Sequence, residues 1–255
     1  MRFLTAVHTD IGIRKKTNQD SALILEAKTD FGNVLLTVIC DGMGGLAKGE
    51  VASSTVIQAF SRWFEKDFPK ILVLDDPTDK IFDSWEKLVL ECNNKISAYA
   101  RSNGISMGTT LNVLLFAKGR YYIINIGDTR AYCITDSLHQ LTKDQTFVQR
   151  EMDMGRMTPE EAEVSPQRNV LLQCIGASDY IQPDFFSGDY FTGQVFMQCS
   201  DGFRHIITGD EIYQYFNPQA LVNEQAMLDN SVYLTELNKY RREQDNITVL
   251  LIKVE

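Results

Sequence analysis

Histidine is scarce in this chain, with only His8, His139 and His205 among 255 residues. The five cysteines, Cys40, Cys92, Cys133, Cys174 and Cys199, include no C-x-x-C pair and sit mostly inside apolar runs, where reduced buried thiols are expected. Zinc and copper sites draw on those donors, so a metal held here is expected among oxygens, as magnesium, manganese or calcium is. Positive charge is also short: 25 Lys and Arg face 34 Asp and Glu, for a net charge of -9. That balance excludes a global field that would gather nucleic acid or an anionic membrane. No apolar run approaches the roughly 20 residues of a membrane span, and the N-terminal MRFLTAVHTDIG has no apolar signal core. A cytoplasmic protein is expected. Repeats, low-complexity tracts and a recognisable linker are missing too, so residues 1–255 read as a single domain.

What the chain does have is a clear succession of apolar patterns. Strand-like runs open it at 3–8, 22–26 and 34–40. Two helical stretches follow. Val51, Ala52, Thr55, Val56, Ala59, Phe60, Trp63 and Phe64 mark one face, and Ile81, Trp85, Leu88, Val89, Cys92, Ile96 and Tyr99 mark the other. Strands return at 110–116, 121–126 and 131–134, with turns at Lys118-Gly119 and Gly127-Asp128, which reads as a meander. A polar segment at 144–169 is expected to be partly helical and outside the sheet. A strand at 194–199, an amphipathic helix from about 218 to 240 and a strand at 247–254 close the chain. This order lacks the strand–helix alternation of a doubly wound sheet. It predicts an α+β fold of antiparallel sheets with helices on their outer faces.

The stretch NVLLTVICDGMGGLAKGE, residues 33–50, has two readings. Gly42, Gly44 and Ala47 match the G-x-G-x-x-G/A spacing of a dinucleotide loop. That fold, however, needs a strand after the glycine-loop helix, and here a second helix follows. Asp41 would also repel a pyrophosphate. The alternative is a loop that presents a carboxylate to a metal. Asp41 is not alone: Asp20, Asp128, Asp201 and Asp245 also stand at the ends of apolar runs. Each alone passes as a turn residue. Gathered at one rim they would repel each other unless protonated or neutralised, and hard divalent cations neutralise them at neutral pH. Paired cations lower the pKa of a bridging water and clamp a phosphoryl group for in-line attack. Metal-assisted phosphoester hydrolysis is the chemistry this pattern points to.

TNQD at 17–20, DGMGG at 41–45 with GEVAS at 49–53, MGTT at 107–110, IGDTRAY at 126–132, LTKDQT at 141–146, CSDGF at 199–203 and QDNITVLLI at 244–252 occur in that order. Together they resemble the PPM family of metal-dependent serine/threonine protein phosphatases, the protein phosphatase 2C type in its compact bacterial form. The resemblance implies a β-sandwich of two antiparallel sheets flanked by helices, with Mn²⁺ or Mg²⁺ at one end. It implies that Asp41 bridges two ions, that the Gly42 carbonyl ligates the second, and that Asp201 and Asp245 hold the first, with Asp20 acting through water. Asp128, with Asp201, would help hold a weaker third ion. Asp41, Asp201 and Asp245 are thus the expected catalytic residues, and 144–169 is the expected flap subdomain.

The chain departs from the family in four places. Lys15 stands where many members place a phosphate-gripping arginine, with Arg14 one step earlier, so either is a candidate for that role. Met43 and Gln145 replace histidines of some relatives, and Asn169 stands where some have a flap histidine. His205 is expected to be structural. Phosphorylated proteins are the implied substrates and a serine/threonine kinase the implied opponent, with no nucleic-acid or membrane partner. A silent phosphoprotein-binding relative is the alternative function, and a small phosphoester is an alternative substrate.

Overall fold

In the strand Gly32–Cys40, Val34, Leu36, Val38 and Cys40 belong to one apolar cluster while Leu35 and Ile39 belong to another. A strand buried on both faces needs a cover on each side, and the rest of the chain supplies it. The computed structural model describes residues 1–43 and 48–255. Gly44 and Ala47, on which the dinucleotide spacing turned together with Gly42, lie outside the described residues.

The elements in chain order are β1 (Phe3–Asp10), β2 (Ser21–Thr29), β3 (Gly32–Cys40), β4 (Gly42–Met43), α1 (Gly49–Lys66), α2 (Phe68–Leu72), α3 (Thr78–Asn103), β5 (Gly108–Thr109), β6 (Leu111–Ala117) and β7 (Arg120–Ile126). Then come β8 (Arg130–Ile134), β9 (Leu138–Gln140), α4 (Phe147–Asp153), α5 (Pro159–Val164), β10 (Asp184–Asp189), β11 (Val195–Cys199), α6 (Asp201–Arg204), α7 (Gly209–Phe216), α8 (Glu224–Tyr240) and β12 (Ile247–Val254). One antiparallel sheet runs β1-β12-β11-β8-β9, a second runs β10-β7-β6-β3-β2, and β4 pairs with β5.

Three apolar clusters define the layers. Leu35, Ile39, Leu114, Phe116, Phe196, Leu250 and Ile252 meet between the sheets. Phe60, Trp63, Trp85 and Val89 of α1 and α3 cover the outer face of the second sheet. Phe216 of α7 with Met227 and Leu234 of α8 cover the outer face of the first. This is the helix-flanked sandwich expected. Among the described residues, no helix is long and apolar enough to cross a membrane.

The dry interior also holds a polar chain. Thr37 Oγ1 donates to Gln198 Oε1 (2.6 Å), Gln198 Nε2 to Asn112 Oδ1 (2.6 Å), and Asn112 Nδ2 to Asn125 Oδ1 (2.8 Å). All four side chains are fully buried. Because Thr37, Asn112 and Asn125 belong to one sheet and Gln198 to the other, these directional bonds lock the two sheets in register.

Two expectations need correction. The meander is broken: β6 and β7 form a hairpin, but β8 pairs with β11 and β9 in the other sheet. A Gly-Asp pair marks that the chain turns and not which sheet it enters. The crossing is fixed from afar, by Gln145 Oε1 accepting from Gly127 N (2.9 Å) and by the Thr110–Thr129 hydroxyl pair (2.6 Å). The helix expected from about 218 starts at Glu224 instead. Asn223 caps it by accepting from Ala226 N (2.8 Å), and Asn217 Oδ1 ties residues 217–220 into a separate turn.

Candidate metal centre

Strand register places the aspartates. Ser21 pairs with Cys40, so Asp20 and Asp41, one residue beyond each, sit side by side at the end of one sheet. Cys199 pairs with both Val249 and Arg130, which sets Asp201, Asp245 and Asp128 at the end of the other sheet. Hydrogen bonds join the two ends. Asp20 Oδ2 accepts from Ser200 Oγ (2.9 Å) and Thr248 Oγ1 (2.7 Å), and Asn246 Oδ1 accepts from Gln19 N (2.9 Å). Asp41 is held by its own backbone: its N–H donates to Thr110 Oγ1 (2.9 Å), and its carbonyl accepts from Thr110 N (2.9 Å).

Two glycines make the crowding possible. A Cβ on Gly42 would stand 2.4 Å from the Gly49 carbonyl oxygen and 2.5 Å from that of Gln19. One on Gly202 would stand 2.1 Å from the Asn246 carbonyl oxygen and 3.3 Å from Asp245 Cβ. Any side chain at either position would force the carboxylate loops apart.

Burial raises the pKa of Asp20, Asp41 and Asp128, and neighbouring carboxylates raise them further. For Asp41 those neighbours are Asp20, Asp201, Asp128 and Asp245, so the register argument and the electrostatics describe one cluster. Protein cations border it. Lys15 Nζ lies 2.6 Å from Asp245 Oδ1. Partial burial opposes its charge, but Asp245, Asp41 and Asp201 outweigh that and raise its pKa. Arg14 donates to Gln244 Oε1. Arg204 is buried with Nη2 at 3.5 Å from Asp128 Oδ2 and 3.3 Å from Asp144 Oδ2, and Arg130 grips Asp144 through two bonds. His205 sits between Asp201 Oδ2 (3.4 Å) and Glu243 Oε2 (3.5 Å); burial opposes its charge, yet these acids raise its pKa.

Among the described residues, no three His, Cys, Asp or Glu side chains are closed around a single point as a finished cage. The donor set still suits a hard divalent cation. Asp20 Oδ1 and Asp201 Oδ1 are both buried with no hydrogen-bond donor, an arrangement that a cation at the rim would satisfy. Segment 144–169 forms α4 and α5 outside both sheets. It helps to wall a cleft of about 730 Å³ that reaches Asp128 and Arg204.

The structure therefore gathers Asp20, Asp41, Gly42, Asp128, Asp201 and Asp245 at one rim with Lys15 against it, while Arg14 bonds Gln244 and makes no ion pair with these carboxylates. Gln145 is buried behind Asp128, bracing Gly127 and donating to Asp184 Oδ2 (2.9 Å). Sequence reasoning missed Ser200, Thr248 and Thr110, which aim the carboxylates, and Arg204 and Glu243, which set the local charge. Thr110, Ser200 and Thr248 lie inside the MGTT, CSDGF and QDNITVLLI motifs, and Arg204 and Glu243 directly flank two of them.

The family model for protein phosphatase 2C matches residues 13–240. The chain is 32% identical over 252 residues to the serine/threonine phosphatase stp of Listeria welshimeri, covering 96% of this chain and 93% of that one. It superposes on the serine/threonine phosphatase of S. agalactiae with a TM-score of 0.85 at 30% identity, covering 100% of both chains. The catalytic domain of serine/threonine protein phosphatase PstP, solved in complex with 2 manganese ions, superposes with a TM-score of 0.79 at 30% identity over 99% of each chain.

Proposed function

The chain belongs to the protein phosphatase 2C family, and we propose that its carboxylate rim holds two Mn²⁺ or Mg²⁺ ions for the hydrolysis of phosphoserine and phosphothreonine in proteins. One observation carries this reading: Asp20 and Asp201 each turn a buried, unpartnered oxygen into the rim that Asp41 and Asp245 complete. Asp41, Asp201 and Asp245 would be the principal ligands, with the Gly42 carbonyl beside Asp41. Asp20 and Asp128 take outer positions on this reading, Asp128 with Asp201 at a third, weaker ion.

When bound, such ions supply a water of lowered pKa and positive charge against the phosphoryl oxygens. The chain supplies the rest. Ser200 and Thr248 orient Asp20, Thr110 fixes the backbone of Asp41, and Asn246 anchors the loop that carries Lys15 through Ile11 O (2.9 Å) and Thr17 O (3.2 Å). Lys15 is the cation placed to meet a substrate phosphate as a point charge. Segment 144–169 acts as the flap beside the cleft. A serine/threonine kinase in the same cytoplasmic signalling system supplies the phosphoproteins.

The test is hydrolysis of an aryl phosphate and a phosphothreonine peptide, with and without manganese, by the wild type and Asp201→Asn. Manganese-dependent turnover lost in the variant supports the enzyme. Peptide binding without turnover would instead support a silent phosphoprotein-binding module.

A further inference from the structure

Arg120, Arg130, Arg150, Arg156, Arg204 and Arg241 each lie within salt-bridge distance of a carboxylate. Arg2, Arg14, Arg62, Arg101, Arg168 and Arg242 have no such partner among the described residues, and three of these, Arg14, Arg168 and Arg242, line one cleft of about 530 Å³. They reach it from separate parts of the chain: the loop between β1 and β2, the end of the 144–169 segment, and the residues after α8. The cleft shares Lys15 and Asp245 with the metal rim, so the two sites are continuous. Its two acids are already engaged, Asp245 with Lys15 at 2.6 Å and Glu243 with His205 at 3.5 Å. Three guanidinium groups are left unopposed in a chain whose net charge is -9.

Arg242 adds a second observation. Its φ is +73°, the left-handed region, at a helix end where Arg242 N donates to Lys239 O (3.1 Å) and Glu243 N to Asn238 O (3.0 Å). Glycine adopts that conformation without strain, and arginine does not. A strained backbone that keeps a long cationic side chain at the mouth of a cleft points to use of that side chain.

We propose that this cleft binds a second acidic group, a phosphate or a carboxylate, carried by the same substrate chain close to the phosphoresidue being hydrolysed. The proposal rests on the phosphatase reading above. Guanidinium forks match a phosphate dianion by paired hydrogen bonds and a carboxylate nearly as well. The cleft would therefore set which phosphoproteins are preferred, and take no part in the bond cleavage.

The experiment uses one phosphothreonine peptide in three forms, with alanine, glutamate or a non-hydrolysable phosphonate residue placed at each neighbouring position in turn. At the best position kcat/KM rises about tenfold for the phosphonate and less for glutamate, mainly through KM, and the gain shrinks as salt is added. Arg168→Ala/Arg242→Gly abolishes the gain; the glycine relaxes the backbone, so an unchanged or raised melting temperature excludes misfolding. Arg101→Ala, which removes the same charge at the end of α3, keeps it. A gain with the phosphonate alone identifies phosphate as the ligand, and a gain with both admits carboxylates. Equal turnover of all peptides, or a gain that survives the double variant, overturns the cleft and leaves the phosphatase reading intact. No turnover of any peptide overturns that reading, and calorimetric binding of the same peptides then decides the cleft by itself.

Discussion

The ammonium of Lys15 lies 2.6 Å from Asp245 Oδ1, tying the loop after β1 to the residue pair that precedes β12. The same carboxylate is an expected metal ligand, so lysine and cation compete for one oxygen. Such a lysine is held ready beside the ion it opposes, where a substrate phosphate would draw it away.

Replacing Lys15 by alanine should therefore have two opposite effects. Manganese should bind several-fold more tightly, because a nearby positive charge is gone, while KM for a phosphopeptide should rise about tenfold. Calorimetry with MnCl₂ and steady-state kinetics read the two. An unchanged KM in both Lys15→Ala and Arg14→Ala would remove phosphate binding from this loop.

Asp41 is half-buried and faces four other carboxylates. Asp41→Asn should lower kcat by about 10²-fold or more, since a proposed principal metal ligand is lost. Without added metal the variant should melt a few degrees higher than wild type, because one repelling charge has gone. A variant that is both inactive and less stable would show that Asp41 serves the fold.

Burial first, and acidic neighbours second, push Asp20 and Asp128 up to about 7 and raise Asp41 as well. Unfolded carboxylates titrate near about 4, so between those values the native chain binds more protons than the unfolded one. The rim's contribution to stability is complete below the unfolded value and is lost as pH rises through the folded one. Manganese should consequently raise the melting temperature little at about pH 5 and much more at about pH 7.5. Equal shifts at both pH values would contradict a protonated rim.

Gln198 joins Thr37 of one strand to Asn112 of another across the interior. Gln198→Leu leaves Asn112 Oδ1 buried without a donor and Thr37 Oγ1 with only its 3.3 Å bond to Leu114 O, which costs about 2–3 kcal/mol and roughly 4–12 °C in melting temperature. Differential scanning calorimetry checks this, and no loss would mean that the polar chain is dispensable.

His205 bridges Asp201 and Glu243, and Glu243 also accepts from Gln244 N (2.7 Å) and Asp245 N (2.9 Å). With Glu243 still held by backbone donors, His205→Ala should keep kcat within a few-fold of wild type while costing about 1–2 kcal/mol of stability. Loss of turnover in a folded protein would instead give this histidine a part in the chemistry.

Much of the architecture was legible because burial on both faces leaves unbroken apolar runs; β12 at Ile247–Val254 was read to the residue. The aspartates were legible for the same reason, since each interrupts or borders such a run. β10 was not, because its aspartates and glycine in DFFSGD mask an edge strand that is only partly buried. Nor was the passage of the chain from one sheet to the other at 127–129, which depends on Gln145 and Thr110, side chains distant in sequence. Ser200 and Thr248 show the same limit: they orient Asp20 from 180 and 228 residues away, and nothing local announces it.

Strand β1 lies at the edge of its sheet and pairs only with β12. This strand must wait for a segment translated much later before it finds a neighbour, and contacts between such remote segments form slowly. Asp20 and Asp41 belong to the early part of the nascent polypeptide, Asp201 and Asp245 to the late part. A half-made chain cannot assemble the carboxylate rim, so phosphate cleavage at the proposed metal centre would begin only after synthesis has passed Ile247.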